Sequence, residues 1–172
     1  MSTPTLLVAV SAAWMLFGLV VGWLAVRTPD RRLGPGPITR LRPWERSLAP
    51  YRIIGIRHWK DRLPEAGDFF RGGVSKRHLP DGSVGTLQRF VVETRRAERV
   101  HWSLVVVAPT FFIWTPAEFA VPNLFIALVA NLPFVAIQRY NRVRLERAIR
   151  RAGDDPDALC RLPATVAELA IG

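Results

Sequence analysis

Two long apolar stretches interrupt an otherwise charged chain. Residues 5–26 carry no charge, and residues 103–137 carry one acidic residue, Glu118, with no lysine or arginine. At about 1.5 Å per residue, the first stretch reaches roughly 33 Å as a helix, which is enough to cross the hydrocarbon core of a bilayer. The second stretch contains Thr115-Pro116-Ala117-Glu118 near its middle, a sequence typical of a turn. The pattern therefore predicts a transmembrane helix followed by an apolar helical hairpin.

A cleaved signal peptide is the alternative interpretation of the first stretch. Signal peptides have a basic leading region, a shorter apolar core and a cleavage site between small residues. Residues 1–4 hold no lysine or arginine, the apolar stretch is longer than such a core, and no small-x-small motif precedes Arg27. These features favour an uncleaved anchor.

Basic residues are segregated along the chain. The formal net charge is +10, and all 24 lysines and arginines fall in residues 27–101 and 139–161. Lysine and arginine are retained on the cytoplasmic side of a membrane, whereas nucleic-acid binding gives no reason for this segregation. We therefore expect a multi-pass membrane protein with its N-terminus outside, its basic segments and C-terminus in the cytoplasm, and no nucleic-acid partner.

These patterns predict an all-α membrane protein with four segments. Residues 1–26 form the anchor, and residues 27–83 form a basic, loop-rich segment because proline and glycine break long helices there. Residues 84–152 form a long helix, the membrane hairpin and a basic helix ended by Gly153, and residues 153–172 form a tail. A buried hairpin of a soluble protein is the alternative for the two arms alone.

Aromatic residues are interleaved with the cations of the segment 27–83. Aromatic rings beside lysine and arginine suit the headgroup layer, so this segment is expected to lie on an anionic lipid surface. An ordinary loop-rich cytoplasmic subdomain is the alternative. The aromatic residues are Trp44, Tyr51, Trp59, Phe69 and Phe70.

Polar residues lie on the face of the long helix that is expected to be buried. The apolar positions at helical spacing are Leu87, Phe90, Val91 and Ala97. At about 100° per residue, the same stripe contains Thr94, Glu98 and His101. Burial of a charge without a purpose is costly, so Glu98 and His101 are predicted to have a function.

The hairpin pattern predicts that catalytic residues meet where its two arms leave the apolar stretch, near His101 and Gln138. These two charged ends are termed the feet of the hairpin. Glu98 and His101 are spaced i, i+3, and a carboxylate beside an imidazole suits a general base acting on a hydroxyl. Because His101 and Gln138 are almost equidistant from the turn, the returning helix brings further hydrogen-bond donors to the same place. Such donors can stabilise an oxyanion or hold a sugar hydroxyl. The candidate catalytic residues are His101, Glu98, Asn141, Tyr140 and Gln138.

Several of these polar residues also have simpler interpretations. A surface ion pair is the alternative for Glu98 and His101, and hydrogen bonding inside the hairpin is the favoured interpretation of Asn131. Glu98-x-x-His101 is half of a di-iron carboxylate motif, but the sequence has no second Glu-x-x-His. The single Cys160 excludes an internal disulfide. We expect no metal and no resident cofactor.

Two polar strings and the hairpin between them resemble a known family. The strings are Glu93-Thr94-Arg95-Arg96-Ala97-Glu98 with His101-Trp102, and Gln138-Arg139-Tyr140-Asn141-Arg142 with Arg144-Leu145. With Asn131-Leu132-Pro133, and a weaker match at Arg57, Trp59-Lys60 and Arg77-His78-Leu79, they resemble the glycosyl-4,4'-diaponeurosporenoate acyltransferase family of carotenoid biosynthesis. The resemblance covers roughly residues 57–145 and the N-terminal apolar segment, while residues 27–56 and the tail match poorly.

The resemblance implies an acyltransferase of a bacterial cell membrane. It would esterify a sugar hydroxyl of a glycosylated carotenoid or related glycolipid, with an acyl-CoA or acyl-carrier thioester as co-substrate. Guanidinium groups fit phosphate well, so arginines would bind the donor. The candidate substrate-binding residues are Arg95, Arg139, Arg142, Thr94, Glu93, Lys60 and Trp102. The alternative is a non-enzymatic membrane adaptor that binds anionic lipids, and the sequence sets no oligomeric state.

Overall fold

The computed structural model describes residues 2–63 and 83–157, and all regular structure in these two ranges is helical. Three long helices dominate: α1 (Thr3–Arg27), α4 (Val84–Val107) and α5 (Ala117–Arg151). The intervening segment holds α2 (Ala49–Ile53), α3 (Ile56–Trp59) and 3-10 helices at Asp30–Arg32, Pro43–Ser47 and Lys60–Arg62. The predicted all-α fold class is confirmed.

Some features noted in the sequence fall on residues 64–82 and 158–172, which lie outside the described residues. One is the upstream part of the family resemblance. The features concerned are Phe69, Phe70, Arg77-His78-Leu79, Cys160 and the greater part of the C-terminal tail.

Local sequence sets both ends of α4. Ser83 is the N-cap, and its hydroxyl accepts a hydrogen bond from the Thr86 backbone N–H at 3.3 Å, which satisfies one donor of the first turn. The helix therefore begins at Val84, as predicted. Its apolar end passes directly into a 3-10 helix, Ala108–Ile113, instead of the kinked α-helix expected there. Pro109 has no N–H to donate to the helical ladder, which accounts for the change.

α4 and α5 form the predicted antiparallel hairpin. Far from the turn, Gln88 Nε2 donates to the Asp155 carbonyl at 2.7 Å, and nearer to it His101 Nδ1 lies 3.0 Å from Asn131 Oδ1. α5 is followed by Gly153 at φ 82°, a left-handed conformation that favours glycine. The fold-back of the two charged feet and the helix end at Gly153 are both confirmed.

α1 and α5 are the helices of the described ranges that are long and apolar enough to cross a membrane. Few residues in the most apolar part of either helix are buried, whereas a core helix of a soluble protein would bury most of them. These two helices fit a membrane protein. The arm formed by the end of α4 and its 3-10 helix is not among the candidate spans, although it also exposes Val106, Phe112 and Ile113.

α1 packs against the hairpin through an aromatic and polar contact. The Trp14 indole stacks on the buried Phe111 ring with centroids 5.1 Å apart, and its Nε1–H donates to Asn123 Oδ1 at 2.8 Å. Within residues 2–63 and 83–157, Asn123 Nδ2 has no hydrogen-bond partner. The bond from Trp14 thus satisfies the oxygen of this amide, and it ties α1 to α5.

We expect Trp14→Phe and Asn123→Leu to be coupled. Hydrogen bonds between membrane helices contribute roughly 0.6–1.7 kcal/mol, and Trp14→Phe leaves the Asn123 amide unpaired among apolar groups. A double-mutant cycle on the free energy of unfolding in detergent measures the coupling. Strictly additive losses in the double variant would show that the two side chains do not interact.

Candidate functional site

Seven charged side chains meet where α4 and α5 pack against the segment around Pro43–Ser47. Three are arginines and four are carboxylates, so their charges nearly balance. They are termed the arginine–carboxylate cluster and comprise Arg95, Arg139, Arg142, Glu45, Glu98, Glu146 and Asp157.

Glu98 lies at the centre of this cluster and is fully buried. Its Oε2 accepts from Arg142 Nη2 at 2.5 Å, and its Oε1 accepts from Arg139 Nη1 at 2.6 Å and from the Trp102 indole at 3.3 Å. Arg142 is also 0% exposed, and its Nε and Nη1 meet no acceptor in the described part of the chain. Buried charges are tolerated when they are paired. Glu98 is therefore the counter-charge of two arginines.

Glu45 extends the cluster from residues 28–63, which hold α2, α3 and three 3-10 helices and are termed the short-helix segment. Its two carboxylate oxygens accept from Nε and Nη2 of Arg139, both at 2.6 Å, in the bidentate geometry that guanidinium and carboxylate groups favour. It also accepts from the Tyr51 hydroxyl at 2.9 Å and the Arg42 N–H at 2.6 Å. Burial alone would raise the pKa of Glu45, but Arg139, the Arg42 N–H and Tyr51 together hold this pKa below its ordinary value.

Glu45→Gln is expected to change how stability depends on pH. A carboxyl with a lowered folded-state pKa contributes stability above its ordinary pKa of 4.5, and this contribution is lost as pH falls through the lower folded value. The wild type should therefore be more stable than Glu45→Gln near neutral pH, and the difference should shrink in acid. Unfolding free energies measured across about pH 3 to 7 test this window. Glu118→Gln, at an exposed position, is the control. If the difference in unfolding free energy between wild type and Glu45→Gln did not change with pH, the lowered pKa of Glu45 would be contradicted.

The arginines predicted to bind a donor phosphate are held in internal ion pairs. Arg95 is 2% exposed and lies 2.5 Å from Asp157 Oδ1 and 3.6 Å from Glu146 Oε1. Arg139 and Arg142 are paired with Glu45 and Glu98 as described above. All three guanidinium groups are thus engaged by internal carboxylates, and their binding of a donor phosphate stays a prediction.

Three other substrate-binding candidates also make internal contacts. The buried Thr94 hydroxyl donates to the Val91 carbonyl at 2.7 Å. Glu93 pairs with Arg96 at 3.2 Å, and Trp102 donates to Glu98. Each of these side chains therefore supports the helical packing. Lys60 is half-buried at the start of the 3-10 helix that follows α3.

The predicted pairing of His101 with Glu98 is wrong. Both Glu98 oxygens bind Arg139, Arg142 and Trp102, and His101 Nδ1 instead lies 3.0 Å from Asn131 Oδ1. The half-buried imidazole stacks on Phe134, with ring centroids 4.8 Å apart and planes 7° apart. These three residues, His101, Asn131 and Phe134, are termed the imidazole site. It lies one helical turn from Glu98, toward the apolar part of the hairpin.

The remaining catalytic candidates on α5 fall on different sides of the helix. Tyr140 is buried in a hydrophobic core with Leu41, Ile56 and Val143, and its ring packs edge-on to Tyr51 at 5.7 Å. This ring faces the short-helix segment, and the predicted role of Tyr140 at an oxyanion stays a prediction. Gln138 is 8% exposed and Asn141 is half-buried.

A pocket of about 210 Å³ opens between α1 and α4. Its wall is mainly apolar, and Arg96 and Arg99 line it while donating to backbone carbonyls of the chain after α1. Ser103 also lines it. At about 100° per residue these positions are on the side of α4 opposite to His101, so this pocket is separate from the imidazole site.

Sequence reasoning singled out Glu98 but missed the other three carboxylates that pair with the arginines, which are Glu45, Glu146 and Asp157. A usable signal existed for Glu45, which is one of three acidic residues among residues 27–63, a strongly basic stretch. Its contact with Arg139 spans 94 positions and had no local signature. Among the described residues, no group of three histidine, cysteine or acidic side chains is placed to bind a metal ion.

Comparison with known proteins matches the same part of the chain. A family model described as glycosyl-4,4'-diaponeurosporenoate acyltransferase matches residues 36–151, which contain the imidazole site and the cluster except Asp157. Relatives of that name from Staphylococcus aureus strains MRSA252 and bovine RF122 / ET3-1 are each 31% identical over 105 residues. The aligned part is 59% of this chain and 63% of each relative, so the chain spans less than two thirds of their length.

The solved structures include no match to this chain. The family assignment therefore rests on the sequence comparisons, and the family model covers well over half of the chain, including all of α4 and α5. The matched range contains the hairpin and, apart from Asp157, all of the arginine–carboxylate cluster. The chain thus belongs to the glycosyl-4,4'-diaponeurosporenoate acyltransferase family.

Proposed function

We propose that this protein transfers a fatty acyl chain from a thioester to a sugar hydroxyl of a glycosylated carotenoid or related glycolipid. Family membership supports the reaction class. The observation that carries the proposal is the half-buried imidazole of His101, held by Asn131 and Phe134 where the apolar hairpin meets the arginine–carboxylate cluster. A base at this level is within reach of the polar head of a substrate whose tail lies in the bilayer.

His101 acts as the general base in the proposed reaction. Its Nε2 accepts the proton of the sugar hydroxyl while the hydroxyl oxygen bonds to the thioester carbonyl carbon. The tetrahedral intermediate then expels the thiolate by breaking the C–S bond, and the imidazolium returns its proton to give the free thiol. Ser103 lines the pocket on the opposite side of α4, so we favour direct attack by the acceptor over an acyl-serine intermediate.

Gln138 and Asn141 are the donors that we assign to the developing oxyanion. Gln138 follows Asn131 by two helical turns, so the two amides share a side of α5. Asn141 extends that side by a further turn and is half-buried. Amide N–H groups directed at the tetrahedral oxygen stabilise charge that exists only in the transition state.

The arginine–carboxylate cluster supports this site without entering the reaction. It fixes α4 to α5 and to the short-helix segment through paired, buried charges. Anionic groups of lipid or donor would instead meet the exposed arginines of that segment, which include Arg40, Arg42, Arg46, Arg52 and Arg57. The exposed Trp44 and Ile53 lie among them in sequence and suit a headgroup layer.

An acyl-transfer assay in nanodiscs tests the function. Wild-type protein is mixed with a glycosylated carotenoid and with labelled acyl-CoA or labelled acyl-carrier protein, and the ester product is identified by mass. The proposal predicts an ester with at least one donor. An adaptor would give no ester with either donor, and would bind anionic vesicles with an affinity that falls as salt rises.

The proposed topology has its own test. We expect α1 and the hairpin to enter the bilayer with the N-terminus outside and the basic segments in the cytoplasm, because arginine is retained on that side. A reporter fused after Gly172 should be cytoplasmic, and one inserted near Glu118 should be external. The opposite result would place His101 away from cytoplasmic thioesters and would contradict the proposal.

A further inference from the structure

We infer that Asn131 is the positioning residue of the imidazole site: it holds the proton on Nδ1 of His101 and leaves Nε2 as the basic nitrogen. The catalytic meaning of this inference rests on the proposed function. The assignment of the proton rests on the hydrogen bonds of Asn131 alone.

The orientation of the Asn131 amide follows from its own helix. Its Nδ2 lies 2.8 Å from the carbonyl oxygen of Ala127, one turn earlier in α5. A carbonyl oxygen only accepts hydrogen bonds, so the amide nitrogen must be the group that faces Ala127. The side-chain oxygen is then the atom directed at His101, and the amide cannot be rotated by 180° without losing this bond.

The proton position on His101 follows from that orientation. Asn131 Oδ1 lies 3.0 Å from His101 Nδ1, and an amide oxygen also only accepts. Nδ1 must therefore donate, and in the neutral ring the lone pair is on Nε2. The hydrogen bond that one ring nitrogen makes sets which nitrogen can act as a base.

Phe134 restrains the same ring in a second way. It lies three residues after Asn131 on α5, and its ring is nearly parallel to the imidazole. Asn131 thus fixes which ring nitrogen faces α5, and Phe134 fixes the plane of the imidazole. Because an amide carries no charge, Asn131 achieves this at the edge of the apolar hairpin without burying another ion.

Nitrogen NMR of histidine tests the proton position directly. The chain has three histidines, so protein labelled with ¹⁵N-histidine gives a simple spectrum in which His101→Gln identifies the signals of interest. We expect the neutral His101 ring to carry its proton on Nδ1 in the wild type and in Asn131→Asp, which keeps an acceptor oxygen. Asn131→Leu should shift the ring toward the form protonated on Nε2. Asn123→Leu, an equivalent change elsewhere on α5, should leave the His101 signals unchanged.

Kinetics separate positioning from folding. Asn131→Leu should lower turnover by roughly tenfold or more, part of the ~10²–10⁴-fold that a positioned base contributes, with little change in KM. Asn131→Asp should recover much of that loss. A wild-type ring protonated on Nε2, or an Asn131→Leu spectrum identical to wild type, would overturn the inference. The wild-type and Asn131→Asp spectra decide it even if the leucine variant does not fold. A wild type with no transfer activity would overturn the proposed function, while the spectra alone decide the role of Asn131.

Discussion

Glu98→Gln is expected to lower the free energy of unfolding by about 3–5 kcal/mol, the range for breaking a buried ion pair from one side. The change leaves Arg142, which is 0% exposed, without its carboxylate partner. Two further donors of Arg142 already have no acceptor in the described ranges, so it has little means of compensating. Arg139 would also lose one of its two carboxylates. Denaturant unfolding in a mild detergent measures the effect.

Glu93→Gln is the matched control for this experiment. Glu93 lies on the same helix and pairs with Arg96 at i, i+3, but both side chains are partly exposed. Exposed ion pairs contribute roughly 0–1 kcal/mol, so this variant should remain close to wild type. Equal losses at positions 93 and 98 would mean that burial does not set the strength of the pair, and the scaffold role of Glu98 would be lost.

His101→Gln is expected to lower acyl-transfer turnover by roughly 10²–10⁴-fold, the usual contribution of a general base. The glutamine keeps a polar side chain beside Asn131 but has no nitrogen that accepts a proton near neutral pH. Since the change removes a neutral hydrogen bond to Asn131 and a ring contact with Phe134, the free energy of unfolding should fall by only about 1 kcal/mol. Steady-state kinetics and unfolding are measured on the same preparation.

His58→Gln is the control for this second prediction. His58 is exposed on α3, so its loss should change neither turnover nor stability. Wild-type turnover in His101→Gln would remove the base from the proposed mechanism, and an equal fall in both histidine variants would indicate a general effect of histidine loss.

The hairpin could be predicted because its signals are local. The apolar stripe of α4, its start at Val84 and the end of α5 at Gly153 each depend on residues within a few positions. The same stripe correctly placed Glu98 on a buried face. Periodicity gives the side of a helix on which a residue lies. That was sufficient to predict that the charged ends of the two arms are neighbours.

The partners of the buried residues could not be predicted in the same way. Whether Glu98 meets His101 or two arginines depends on the separation and rotation of α4 and α5 and on Glu45, which approaches from a distant segment. Tyr140 was assigned to the site by its position in a polar string, although the adjacent position on a helix points about 100° away. Asn131 was correctly expected to hydrogen-bond inside the hairpin, but its specific partner, His101, was not foreseen.

A side-by-side measurement of turnover and stability in Glu98→Gln and His101→Gln tests the central claim most directly. The claim is that the buried carboxylate holds the helices together while the imidazole performs the chemistry. We predict that Glu98→Gln loses stability but keeps most of its turnover per folded molecule, and that His101→Gln loses turnover but stays stable. Abolished turnover in fully folded Glu98→Gln, together with an active His101→Gln, would contradict this division.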